Sequence, residues 1–285
     1  MKYGMSSLNY AAPFRDEDAW TIGHLRSLGF DIVEITVWER DLFDVQAAAS
    51  EFKRQGVEPV VLTQVRPESS LTDTDAAVRA AGVDHLRYCI DVAETLGASF
   101  VTGEIAEGPG ILKWRSPEDF QADIDRSAAA LREVAPYASE RGVTLVFEPL
   151  NRYESSFCIR AEEAVRLVDA VDSPSFRMML DTFHADIEEK SIPQAVRTAG
   201  DRLVYVQVME HDRGVPGTGH LDWYGLRDAL KEIDYPGPVV MAPGGHQNRV
   251  PATHLRLWHD AHTSSPDETA IEGLKFLKKV FAGGG

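Results

Sequence analysis

ERGVTLVFEP, residues 140–149, runs from the end of an amphipathic segment through one glycine, Gly142, into a continuous apolar stretch that stops at an acid, Glu148. The same unit recurs as SLGFDIVEIT (27–36), RQGVEPVVLT (54–63) and TLGASFVTGE (95–104), with Gly29, Gly56 and Gly97 in the equivalent place. A glycine just ahead of β-branched and aliphatic residues reads as the left-handed residue that ends a helix. The runs that follow are continuous rather than alternating, as expected of parallel strands covered on both faces. KYGMSS, FRMMLD, LVYVQVM and GPVVMA bring the set to eight.

Helical patterns fill the gaps. SPEDFQADIDRSAAALREVAPYASERG opens with Ser116 as N-cap and Pro117 at the first helical position, and Phe120, Ile124, Leu131 and Val134 follow near helical spacing. The last helix begins at SSPDET, and its apolar face is expected to carry Ile271, Leu274, Leu277 and Phe281. Eight strand–helix units in 285 residues predict an α/β fold, a single (β/α)₈ TIM barrel, with residues 1–285 as one domain. The rival, a doubly wound open sheet, lacks a glycine-rich phosphate loop after its first strand.

The formal charge of −16 argues against nucleic acid or an anionic membrane surface as partner. No run of eighteen apolar residues occurs, and MKYGMSSLNY lacks the apolar core of a signal peptide. Cys89 and Cys158 have no zinc-type spacing and are too few for a disulfide scaffold, so a cytoplasmic location is expected.

Chemistry in such a barrel sits where the strands end. Three consecutive runs end in acids: VTLVFE in Glu148, RMMLD in Asp181 and VYVQVME in Glu210, with His184 one turn past Asp181 and Arg213 just past Glu210. Glu148, Asp181 and the residues around Glu210 are expected to face one cavity. The next run, GPVVMAPGGH (237–246), delivers Ala242, a methyl group. His211, His220 and His246 lie in strand-end loops. Trp38 and Trp114 are candidates for an apolar wall against a sugar ring, and EGPGILKW (107–114) reads as a flexible loop and candidate lid.

FEPLNRYE (147–154), MMLDTFHADIEE (178–189) and EHDRGVPGTGHLDW (210–223) resemble the xylose-isomerase-like sugar isomerases and epimerases, in particular the ketose 3-epimerase branch. The resemblance covers essentially the whole chain. It implies a divalent metal, manganese, magnesium or cobalt, held by Glu, Asp, His and Glu from the last four strands. It places the first Glu, also an acid/base, on Glu148 and the Asp on Asp181. It places substrate-contacting residues on Glu154, His184 and Arg213, and the segment shaping the substrate end on GVPGTGH, which contains His220. The remaining two positions depart from the pattern. The metal histidine falls on Gln207, with Tyr205 at the histidine position before it, and the final Glu, the second acid/base, falls on Ala242.

Epimerisation next to a carbonyl removes a proton from one face and returns one to the other, and each acid/base contributes about 10²–10⁴-fold in rate. With Ala242 the second face has lost its base, while Glu148 can still serve the first. Two carboxylates and an amide make a poor donor set, so weak or absent metal binding is expected, with His246 the candidate substitute ligand. The intact Glu148, Glu154, Asp181, His184 and Arg213 point to a polyhydroxylated carbohydrate substrate: a ketose, a keto-inositol or a related compound. The expected activity is that of an isomerase or epimerase acting by proton abstraction next to a carbonyl. A single-base lyase or hydrolase and a non-catalytic sugar- or partner-binding barrel remain as alternatives. The resemblance also implies a homo-oligomer, dimer or tetramer.

Overall fold

The computed structural model describes residues 1–244 and 265–282. Its strands are β1 (Tyr3–Ser6), β2 (Ile32–Thr36), β3 (Glu58–Gln64), β4 (Phe100–Glu104), β5 (Thr144–Phe147), β6 (Phe176–Asp181), β7 (Leu203–Val208) and β8 (Val239–Met241). They pair in sequence order, all parallel, and β8 returns to β1 to close the barrel. All eight expected runs are strands. Around them lie α1 (Trp20–Leu28), α2 (Val45–Gln55), α3 (Ala76–Leu96), α4 (Pro117–Glu140), α5 (Ala161–Val171), α6 (Thr182–Glu188), α7 (Ile192–Ala199), α8 (Trp223–Glu232) and α9 (Pro266–Ala282).

The local punctuation does what the chemistry of the residues requires. Gly29, Gly56, Gly97 and Gly142 lie at φ between +62° and +100°, a region that a side chain would strain. Ser116 caps α4, accepting from the Asp119 amide at 3.1 Å, while Asp119 reaches back to the Ser116 amide. On α9 the buried face is Ala270, Leu274, Leu277 and Val280; Ile271 is half exposed and Phe281 only partly covered. The expected stripe is thus off by one residue at each end, because Ala270 rather than Ile271 sits a full turn before Leu274.

The apolar core has two layers. The larger packs the helices against the outside of the barrel. A smaller plug of Ile32, Val60, Val146, Met179, Tyr205 and Val240 fills the barrel interior. Side chains alternate along a strand, so two residues further on the same inward direction falls to Glu34, Leu62, Glu148, Asp181, Gln207 and Ala242. Thr102 and then Glu104 continue it on β4. This step of two residues places polar groups directly above an apolar floor. None of the described helices is long and apolar enough to cross a membrane.

Candidate active site

A cavity of about 290 Å³ opens at the C-terminal ends of the strands, lined by residues that include Glu104, Glu148, Glu154, Asp181, His184, Gln207, Arg213 and Ala242. The expected group around Glu148 is therefore brought together. Trp38 also lines the cavity, with Leu8 and Leu62 beside it.

Asp181 ends β6 and caps α6. Its Oδ1 accepts from the amides of Phe183 at 2.7 Å and His184 at 3.2 Å. Its Oδ2 is buried with no hydrogen-bond partner among the described residues. Burial pushes the Asp181 carboxyl up to about 7, against the pull of Arg213. Burial likewise raises Glu148 well above the ordinary 4.5, and the charges of Glu104, Asp181 and Glu34 add to it.

His184 is held as a neutral imidazole, its pKa pushed down to about 4 by burial. The backbone and side-chain amides of Asn151 donate to Nδ1 at 3.2 and 2.8 Å. The ring proton therefore sits on Nε2, which lies 3.7 Å from Glu148 Oε1. Arg213 occupies left-handed backbone at φ +65°. Its guanidinium lies over the Phe183 ring, 4.0 Å from the centroid, and donates to Glu154 at 2.8 Å. Against the burial that pushes it up, Arg213 and Asn151 hold the Glu154 carboxyl below its ordinary value.

Beneath this rim lies a carboxyl that sequence reasoning did not single out. Glu34 on β2 is fully buried and accepts from Tyr205 Oη at 2.7 Å, from Gln207 Nε2 at 2.9 Å and from Thr102 Oγ1 at 3.3 Å. Tyr205 and Gln207 are thus explained locally, as the two β7 donors that satisfy Glu34. Removing the hydroxyl with Tyr205→Phe is expected to lower stability by about 1–3 kcal/mol, the usual cost of taking a donor from a buried polar group. Chemical denaturation checks this; an unchanged midpoint would show that the Tyr205–Glu34 bond contributes nothing.

Glu104 is the second residue missed. It lines the cavity, and burial together with the Glu154 charge raises its carboxyl to about 7. The signal was present, since TLGASFVTGE ends in an acid just as the later runs do. β4 bends here through Gly103 at φ +115°, where a Cβ would stand 2.1 Å from the Thr63 carbonyl oxygen.

Other expectations are corrected. Glu210 turns away from the cavity and organises its own loop, accepting from the amides of Gly217 and Leu221 and from Trp223 Nε1 at 2.9–3.1 Å. Position 210 lies three residues after the inward-facing Gln207, so alternation directs it outward. Trp114 is 91% exposed and forms no wall over the mouth. His220 also lies outside the cavity lining, 3.3 Å from Asp186 and with its ring tilted against that of His211. The 107–114 segment is pinned rather than free. Buried Arg115 pairs with Glu107 and Asp123, Gly110 donates to the Glu154 carbonyl at 2.7 Å, and Lys113 donates to Ser156 at 3.0 Å. Only Pro109 and Gly110 of that segment reach the cavity. His246 lies outside the described residues.

Comparison with known proteins agrees with this geometry. The profile of the xylose isomerase-like TIM barrel family matches residues 22–280. The chain belongs to that family. It is 31% identical to an L-ribulose 3-epimerase of Methylomonas sp. (strain DH-1), over 89% of this chain and 88% of that one. It is 30% identical to a D-psicose 3-epimerase of Agrobacterium fabrum, over 92% and 93%. Among solved structures it superposes on a Methylomonas D-allulose 3-epimerase in complex with D-allulose with TM-score 0.90 at 29% identity, covering 98% of this chain and 97% of that one. It is an isomerase/epimerase-type sugar enzyme.

As a place for a divalent ion, the described residues fit poorly. Gln207 turns its NH₂ to Glu34 and has only an amide oxygen left to offer, and Ala242 offers no donor. Among the described residues, no three His, Cys, Asp or Glu side chains converge to hold a metal.

Proposed function

We propose that this enzyme acts on a free, polyhydroxylated keto or aldo sugar by abstracting a proton next to its carbonyl, with Glu148 as the base. The observation that carries this reading is the Glu148 carboxylate, buried at the cavity wall with His184 Nε2 3.7 Å away. In this reading His184 and Arg213 stabilise the charge that develops on the carbonyl oxygen, and Glu154 and Asp181 accept hydrogen bonds from substrate hydroxyls. Asp181 Oδ2, buried without a partner among the described residues, is matched to such a donor. The described lining sets four carboxyls against one guanidinium, which favours a neutral polyol over a phosphorylated sugar. The donor set argues for weak divalent-metal binding.

The test is turnover of unphosphorylated ketopentoses, ketohexoses and their aldoses, followed by NMR, with Glu148→Gln as control. Turnover that disappears in the variant supports the reading. No turnover of any of these sugars, or an undiminished rate in the variant, overturns it.

A pH dependence follows from the same group. Only ionised Glu148 can accept a proton, and burial with the neighbouring carboxylates raises its pKa. The rate therefore rises with pH as the proton leaves, and the acid limb of the kcat/KM profile is expected above the ordinary carboxylate range. A limb at 4.5, the ordinary Glu value, would place the base elsewhere.

A further inference from the structure

Among the described residues, the titratable groups of the cavity are confined to one side. Glu104, Glu148 and Asp181 stand at the ends of β4, β5 and β6, three neighbouring strands. The Glu148 amide donates to the Gly103 carbonyl at 2.9 Å, and Gly103 is in register with Phe147, so Glu104 and Glu148 leave side by side. Across the cavity, the described lining contributed by β8 and by β1 to β3 and their loops is Ala242, Leu8, Trp38, Leu62 and Gln64. None of these side chains exchanges a proton. The Glu104 carboxyl receives no hydrogen bond from another described side chain, whereas Glu154 is committed to Arg213 and Asn151. Glu104, bonded among the described residues to its own backbone amide, is thus a carboxyl open to the cavity beside the base.

Inversion of a carbon requires groups on both faces of the intermediate. Two carboxyls on one face suit a different reaction. A base that takes a proton from one carbon can return it to the neighbouring carbon on the same face, and a second carboxyl can move the proton between the two oxygens. Resting on the reading of Glu148 as base, we propose that Glu104 and Glu148 form a same-face proton-transfer pair, and that the chain catalyses aldose–ketose isomerisation of a free sugar rather than inversion at a carbinol carbon.

The step balances. Glu148 carboxylate takes the proton from C2 of the aldose while Glu104, as the carboxylic acid, protonates the C1 carbonyl oxygen. The products are a cis-enediol, a Glu148 carboxylic acid and a Glu104 carboxylate. Glu148 then delivers its proton to C1 as Glu104 removes the proton from the C2 hydroxyl, and the C2 carbonyl forms. Both carboxyls return to their starting states, and no oxidant or further reactant is consumed.

The experiment incubates the intact enzyme with D-fructose, D-psicose, D-tagatose, L-ribulose and the corresponding aldoses and identifies products by ¹³C NMR. The expected result is interconversion of ketose and aldose with C3 configuration retained. With [2-²H]-aldose, deuterium is expected at C1 of the ketose, since the same carboxyl carries it. A C3 epimer as the main product overturns the inference while leaving Glu148 as base. No turnover of any sugar overturns both. Glu104→Gln is expected to lower kcat by about 10²-fold or more with KM changed only a few-fold; a variant with unchanged kcat removes Glu104 from the chemistry. The product and label results come from the unaltered protein, so the inference is tested even if that variant fails to fold.

Discussion

Glu148→Gln is expected to lower kcat by about 10²–10⁴-fold, the usual loss when a positioned base is removed. The upper part of that range applies because Ala242 supplies no carboxylate that could act in its place. Gln keeps the shape of Glu and a carbonyl oxygen beside the His184 ring, so KM should change little. Stability should move the other way. An acid whose folded pKa is raised loses stability as pH climbs from its unfolded value, here 4.5, towards the folded one. A neutral amide removes that loss and the repulsion from Glu104 and Asp181, so the variant should melt higher than the parent at neutral pH. Reduced kcat with a raised melting temperature is the signature of a site that sacrifices stability for function. A rate within about tenfold of the parent would be too small a loss for a catalytic base.

Gln207→His together with Ala242→Glu is expected to give stoichiometric divalent-metal binding and to add epimerisation. Ala242 lies on the cavity wall just past β8, its amide donating to the Val208 carbonyl at 3.3 Å. A carboxylate there stands on the side that holds no acid/base among the described residues. Histidine at 207 can keep one N–H on Glu34, as Gln207 does now at 2.9 Å, and turn its other nitrogen to the ion, the usual arrangement of a carboxylate-oriented metal histidine. Elemental analysis after dialysis against manganese, with product identification by NMR, checks both halves. A folded double variant that binds no metal would show that position 242 does not face the site in the way the fold places it. Metal binding without epimer would show that the carboxylate introduced at position 242 ligates but cannot reach the substrate.

Much of the architecture was legible because it is written in short-range chemistry. Each helix-ending glycine and each continuous apolar run acts within about ten residues, and the repetition of the unit leaves a closed parallel barrel as the economical arrangement. Glu148, Asp181, His184 and Arg213 could be placed on one rim because barrel strands end together. Glu104 was equally legible, as the acid ending its own run. Glu210 was misplaced for want of counting by twos from Gln207, and Ile271 for a shift of one residue in a helical stripe.

What the sequence alone determined is therefore the fold, the family and an alanine, not an acid, at the end of the eighth run. The tertiary structure decided which polar groups meet. Glu34 is 171 residues from Tyr205 and 173 from Gln207, and no local pattern announces that a buried carboxyl on β2 explains two β7 side chains. Nor does any local pattern show that Trp114 turns to solvent while Arg115 beside it is buried between Glu107 and Asp123. Periodicity acts along the chain, whereas hydrogen-bond satisfaction and electrostatic coupling act through space. The placement of the described cavity carboxyls on one side belongs to the second kind of information.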